Sequence, residues 1–234
     1  MDELTKLYLQ WYKELSEIAP HFSDDKYSNP YYMAIPKDWN QSDNRIMIVG
    51  EEGYGENGCG KRQKWTMQKI QGWILYYLNT QLNGNKEDPD YNKSPFWRRI
   101  RKIKSPNTSF IWNNIDKIHS LQWNGGLKYK LSVSDRKALH STETKVLYEE
   151  IKIARPNIVV FFGWYGVSLR AELPSIYDKL YGNAKRIAKK DVYVIEEEGI
   201  FYIFTWHPNR QPREYEEKVI TEIQKVMKQP TNRI

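Results

Sequence analysis

Three short apolar-rich runs, residues 46–49 (IMIV), 109–113 (SFIWN) and 157–162 (NIVVFF), constrain the fold more than any other feature of the chain. None alternates with polar residues as a strand with one wet face would, so each reads as a strand buried on both faces. Between them the apolar spacing changes to threes and fours. Leu4, Leu7, Trp11, Leu15 and Ile18 mark a helix over 2–19 closed by Pro20, and Trp65, Ile70, Trp73, Ile74, Tyr77 and Leu78 mark one over 64–83. A short helix spans 96–103. A further one is expected to start at a Ser141 or Thr142 cap, with Glu143 in its first turn and Val146, Leu147, Ile151 and Ala154 inward, and to end at Arg155-Pro156. The last helix covers 213–228. Buried strands separated by helices predict an α/β chain, a three-layer α/β/α sandwich around a mostly parallel sheet. Residues 191–195 and 200–205 read as a hairpin around EEEG. Residues 115–140 read as irregular, with a turn at Asn124-Gly125-Gly126, and 163–166 as a turn into a short helix ending at Pro174. One domain over 1–234 is expected, with 1–44 as a helix-and-loop extension packed on it.

Composition narrows the function classes. No apolar run approaches the ~18–20 residues that cross a bilayer, and the acidic, amphipathic start does not read as a signal peptide. The single cysteine, Cys59, excludes an internal disulfide framework and a cysteine-ligated cluster supplied by this chain, so an intracellular, cytoplasmic protein is expected. Lys and Arg (36) outnumber Asp and Glu (29), giving a formal charge of +7, and the chain carries 9 Trp and 17 Tyr. Positive charge attracts phosphate backbones and aromatic rings stack on bases, which suits a nucleic-acid partner. Many basic proteins bind nothing in particular.

The first apolar run empties into RIMIVGEEGYGENGCGK (45–61), where Glu51 and Glu52 precede glycines at 53, 55, 58 and 60. The segment 53–58 matches GxGxxG, yet no second strand with a ribose-binding acid follows about 20 residues on. GENGCGK nearly matches a P-loop, but Arg62 replaces the magnesium-binding Ser/Thr and three glutamates would repel phosphate. A nucleotide-binding enzyme using this loop stays an alternative, as does a loop that only turns. Other strand ends are as suggestive: Asn113-Asn114 after the second run and His207-Pro208 after the last. In a parallel sheet these ends share one edge, so acid, amide and imidazole converge on one pocket. Each has a bland reading too: a solvated loop for the acids, an Asx turn for the asparagines, a structural hydrogen bond for the histidine. The cluster Arg98, Arg99, Arg101 and Lys102 reads as a phosphate clamp or as a solvated helix face.

Taken together, these residues resemble the uracil-DNA glycosylase superfamily. Gly50-Glu51-Glu52-Gly53-Tyr54-Gly55 is similar to its first motif, Gly-Gln-Asp-Pro-Tyr-His. The resemblance puts Glu52 on the water-orienting acid and Tyr54 on the tyrosine that crowds out a thymine methyl. Other branches carry Gly-Glu, which Gly50-Glu51 matches, making Glu51 a rival. The asparagine that reads the pyrimidine edge would be Asn113 or Asn114. His207-Pro208-Asn209 resembles the final His-Pro-Ser motif, with His207 stabilising the departing base. Asn209 replaces the usual serine, Gly53 replaces a proline, and Gln211 stands about where a wedge residue would fill the gap left by a flipped base.

The resemblance implies a monofunctional enzyme that hydrolyses the N-glycosidic bond of uracil or a related damaged base in DNA. It further implies Pro208, Asn209, Arg210, Gln211, Arg98, Arg99 and Arg101 on the DNA, no metal or other cofactor, no membrane partner, and a monomer. The alternative is a relative that binds nucleic acid and has lost the chemistry.

Overall fold

The computed structural model describes residues 2–18, 28–50, 66–84, 94–118, 132–163, 171–181, 192–208 and 211–229. The expected α/β/α arrangement is present. The apolar runs form β1 (Asn44–Gly50), β2 (Thr108–Asn114) and β3 (Ile158–Phe162), and the hairpin forms β4 (Tyr193–Glu197) and β5 (Ile200–Thr205). The strand order is β2-β1-β3-β5-β4. The first four of these are mutually parallel, and only edge strand β4 runs antiparallel, against β5. Glu198 (φ 51°) and Gly199 (φ 74°) make the two-residue hairpin turn. Left-handed backbone at both central positions matches the twist of the flanking strands.

Alternation along the strands sorts their residues between two cores. Met47, Val49, Ile111, Val159, Phe161, Tyr202 and Phe204 face one layer, with α1 (Glu3–Ile18), α4 (Val133–Ala154) and α5 (Pro174–Tyr181). Ile46, Ile48, Phe110, Ile158, Val160, Phe162, Phe201 and Ile203 face the other, with α3 (Pro95–Ile103) and α6 (Arg213–Met227). The long α2 (Met67–Asn83) gives Ile70 and Ile74 to the first core and Leu78 to the second. In α1, Leu4, Tyr8, Trp11 and Leu15 form the buried stripe. Its first turn is closed by Asp2, whose carboxylate accepts from Thr5 N at 2.8 Å.

Two expectations are corrected. The helix placed after a Ser141 or Thr142 cap begins at Val133, about two turns earlier, so part of the stretch read as irregular is helical. The hydroxyls bond back within the helix instead of capping it: Thr142 Oγ1 donates to Leu139 O and Thr144 Oγ1 to His140 O, both at 2.8 Å. Glu143 is therefore an interior helix residue. Pro174 is the first residue of α5, where its missing N–H costs nothing, and the short helix expected before it falls on residues outside those described, 164–170, as does the turn at 124–126. No described helix is long and apolar enough to cross a membrane.

Candidate active-site edge

The carboxyl ends of the parallel strands bring Gly50, Asn114, Phe162 and Thr205 to one edge. Gly50 pairs in register with Asn114, and Phe162 with Thr205. The edge is stitched by Ile115 N donating to Gly50 O and Gly163 N donating to Thr205 O, each at 3.0 Å. Ligands of open α/β sheets meet this edge.

The two asparagines have separate fates, set by strand parity. Asn113 faces the α1/α4 layer and is fully occupied there. Its Nδ2 donates to Glu150 Oε2 at 2.9 Å, and its Oδ1 accepts from Asn114 N at 2.8 Å and from Lys117 Nζ. Lys117 Nζ also donates to Glu150 Oε2 at 2.5 Å, and Tyr8 Oη donates to Glu150 Oε1. Tyr8, Asn113, Lys117 and Glu150 are all completely buried. Burial, reinforced by Glu150, raises the Tyr8 pKa well above the phenol range, so the hydroxyl remains a donor. This network clamps α1, α4 and the end of β2 together.

Asn114 points the other way, onto the α3 side, and its buried Nδ2 has no hydrogen-bond partner among the described residues. Its Oδ1 lies against Gly50, where an added Cβ would sit 2.7 Å from that oxygen and 3.7 Å from the Phe96 ring. The glycine thus leaves room for the amide. Phe96 packs edge-on against Phe162, with centroids 5.2 Å apart. Buried amides are almost always satisfied. The Asn114 Nδ2 is thus an unmet donor at the carboxyl edge of the sheet.

Past β5, Trp206 N donates to Tyr215 Oη at 2.8 Å, which ties the segment before His207 to α6. His207 is half-buried and Pro208 buried. The arginines of α3 are not a uniform exposed face. Arg98, about half exposed, bonds Glu216 at 3.3 Å, and Lys102 bonds the same carboxylate. Arg101 Nη1 donates to Gln81 O at 3.0 Å. Arg99 is fully buried, unlike the exposed phosphate contact expected of it. Its Nη1 reaches Trp206 O at 3.5 Å, Nε and Nη2 have no hydrogen-bond partner among the described residues, and its Cζ lies 5.3 Å from the Phe162 centroid. Burial pulls its pKa down from the guanidinium value, opposed by the more distant Glu216. Helical spacing was the available signal, since Arg99 shares the inward stripe of Phe96, Ile100 and Ile103.

Much of the aromatic content is spent on packing. Trp73, Tyr77, Trp97, Trp112 and Phe96 form a continuous series of ring contacts with centroids 5.0–5.6 Å apart. Glu51, Glu52, Gly53, Tyr54, Asn209 and Arg210 lie outside the described residues, and Gln211 is half-buried just before α6. The structure therefore brings Gly50, Asn114 and the approach to His207 to one edge, and assigns Asn113 to the α1/α4 network. Phe96, Arg99 and that network are the parts sequence reasoning missed. Against known proteins, the chain matches no family model and no curated protein.

Proposed function

We propose that the protein is a DNA base-excision glycosylase acting on uracil or a related damaged pyrimidine. The observation that carries this reading is the buried, unpartnered amide of Asn114, held beside Gly50 at the carboxyl edge of the sheet. Uracil presents an N3–H donor beside an O4 acceptor, and one carboxamide matches both. A base inside a duplex cannot reach such an amide, so the nucleotide is flipped out of the stack at a cost of a few kcal/mol. The Phe96–Phe162 pair supplies an apolar flank for the base.

In the reaction, the C1′–N1 bond breaks with its electron pair leaving on the base, and a water oxygen bonds to C1′. Positive charge develops on the sugar and negative charge on the base. Glu52, or Glu51 in its place, follows Gly50 in the chain and serves as the carboxylate that orients the water. His207 donates toward the departing base. Strands β2 and β5 are three sheet positions apart, roughly 14 Å, so Asn114 and His207 approach a bound nucleotide from opposite sides.

The test is release of base from uracil-containing single- and double-stranded oligonucleotides, read as alkali-labile strand breaks. We expect breaks with the native protein and a loss of a hundredfold or more in Asn114→Ala, with unchanged thermal stability. Breaks that persist at the native rate in Asn114→Ala would remove the amide from the site. Absence of breaks with every deaminated base would remove the activity.

A further inference from the structure

We propose that Asp116, His140 and Glu143 bind a divalent transition-metal cation, beside but separate from the Asn114 site. The three residues come from two elements. Asp116 lies two residues past the end of β2, while His140 and Glu143 sit three apart on α4, and so on one helix face. One donor atom from each lies within 4.8 Å of the others. His140 Nδ1 is 3.7 Å from Asp116 Oδ1. Tetrahedral donors at zinc bond lengths are about 3.3 Å apart, so an ion would draw this set inward by an ångström or so.

A second observation points to the same ligand. Glu143 is only 2% exposed. Its Oε1 accepts from the backbone N–H groups of Lys117 and Ile118, at 2.8 and 3.1 Å, which fixes the carboxylate as the outer contacts of a metal ligand do. No donor among the described residues is assigned to its other oxygen. Asp116 adds a second carboxylate beside it. The cation nearest in sequence, Lys117, is turned away, with its Nζ on Glu150 and Asn113. A buried carboxylate beside another is stabilised by a positive charge placed between them, and Lys117, whose field reaches Glu143, is hydrogen-bonded elsewhere.

The donor set selects the ion class. One imidazole with two carboxylates suits zinc or manganese better than calcium or magnesium, which prefer oxygen alone. Bound there, the ion would tie the segment carrying Asn114 to α4, making the cation a structural brace for the edge rather than a participant at it.

The experiment uses the full chain, stripped with chelator and then titrated with Zn²⁺, with native mass spectrometry for stoichiometry and thermal unfolding for linkage. We expect one zinc per chain and a midpoint rise of roughly 5–10 °C at a hundredfold excess over the dissociation constant. His140→Ala, a change at a half-exposed side chain, should weaken binding at least tenfold while leaving the metal-free midpoint near native. Glu143→Gln should weaken it further, and His207→Ala should leave it unchanged. No stoichiometric uptake, or uptake indifferent to His140→Ala, overturns the proposal. Both readouts are independent of base release.

Discussion

Replacing Glu150 by Gln tests the clamp behind the candidate edge. The substitution keeps volume and an acceptor for Tyr8 but strands the Lys117 ammonium in a fully buried site. Removing one member of a buried, hydrogen-bonded ion pair costs about 3–5 kcal/mol, mostly as the penalty of the charge left behind. For a chain of this size that corresponds to a fall of roughly 6–20 °C in the unfolding midpoint. Lys117→Met should cost a similar amount by leaving the carboxylate uncompensated. The double variant carries no stranded charge, and Tyr8 and Asn113 keep an amide partner at position 150. It should therefore be more stable than either single change, with a coupling of about 2 kcal/mol or more between the two. Urea unfolding of the four proteins at neutral pH measures this cycle. If the single variants each lose less than about 1 kcal/mol, or if their losses simply add, the pair is not the buried clamp described.

Two other perturbations address α3. At Glu216 burial opposes ionisation, but the Lys102 and Arg98 hydrogen bonds outweigh it and hold the folded-state pKa below its ordinary value. A depressed carboxylate pKa stabilises above the unfolded pKa, and that contribution is lost as pH falls through the folded value. Glu216→Gln should thus cost about 1 kcal/mol at pH 7, small because both cations are half exposed, and less near pH 3. Denaturant midpoints at the two pH values check it, and an equal loss at both would show that charge is not the cause. Arg99→Met removes a buried guanidinium with two unpartnered nitrogens and should raise stability by about 1–3 kcal/mol. A fall in the melting temperature would show instead that the bond to Trp206 O and the field of Glu216 outweigh the burial of the charge.

The sheet was legible because its strands are apolar on both faces and its helices keep their period over several turns. All five strands and the ends of α1, α2, α3 and α6 lie within three residues of expectation. The start of α4 was not legible. Ser141, Thr142 and Thr144 look like capping residues, and only the folded helix shows Thr142 and Thr144 bonded back to Leu139 and His140. Pro174 misled for a related reason, since a proline closes one helix and opens another with equal ease and the sequence alone does not say which. The reading of α3 as a basic face treated all its arginines alike, although position 99 falls on the same side as Ile100 and Ile103. Charge outweighed periodicity there, and the structure buries the residue that periodicity would have buried.

The asparagine pair shows what a sequence contains and what it withholds. Adjacent residues in a strand face opposite layers, so Asn113 and Asn114 could never have shared one role. Parity alone groups Asn113 with Ile111 and Asn114 with Phe110. What parity omits is which layer offers the amide a partner. That depends on Lys117 and Glu150, the latter 37 residues away, meeting Asn113 in the α4 layer. On the α3 layer Asn114 meets a glycine and an aromatic ring instead. One amide is consumed in holding the edge, and the other is buried there with its Nδ2 unpartnered among the described residues. The same division fixes the backbone of the second amide, because Asn114 N donates to Asn113 Oδ1. For the recognition role proposed for Asn114, an amide fixed through its backbone to a buried ion-pair network would lose little freedom on binding, which is where preorganisation gains affinity.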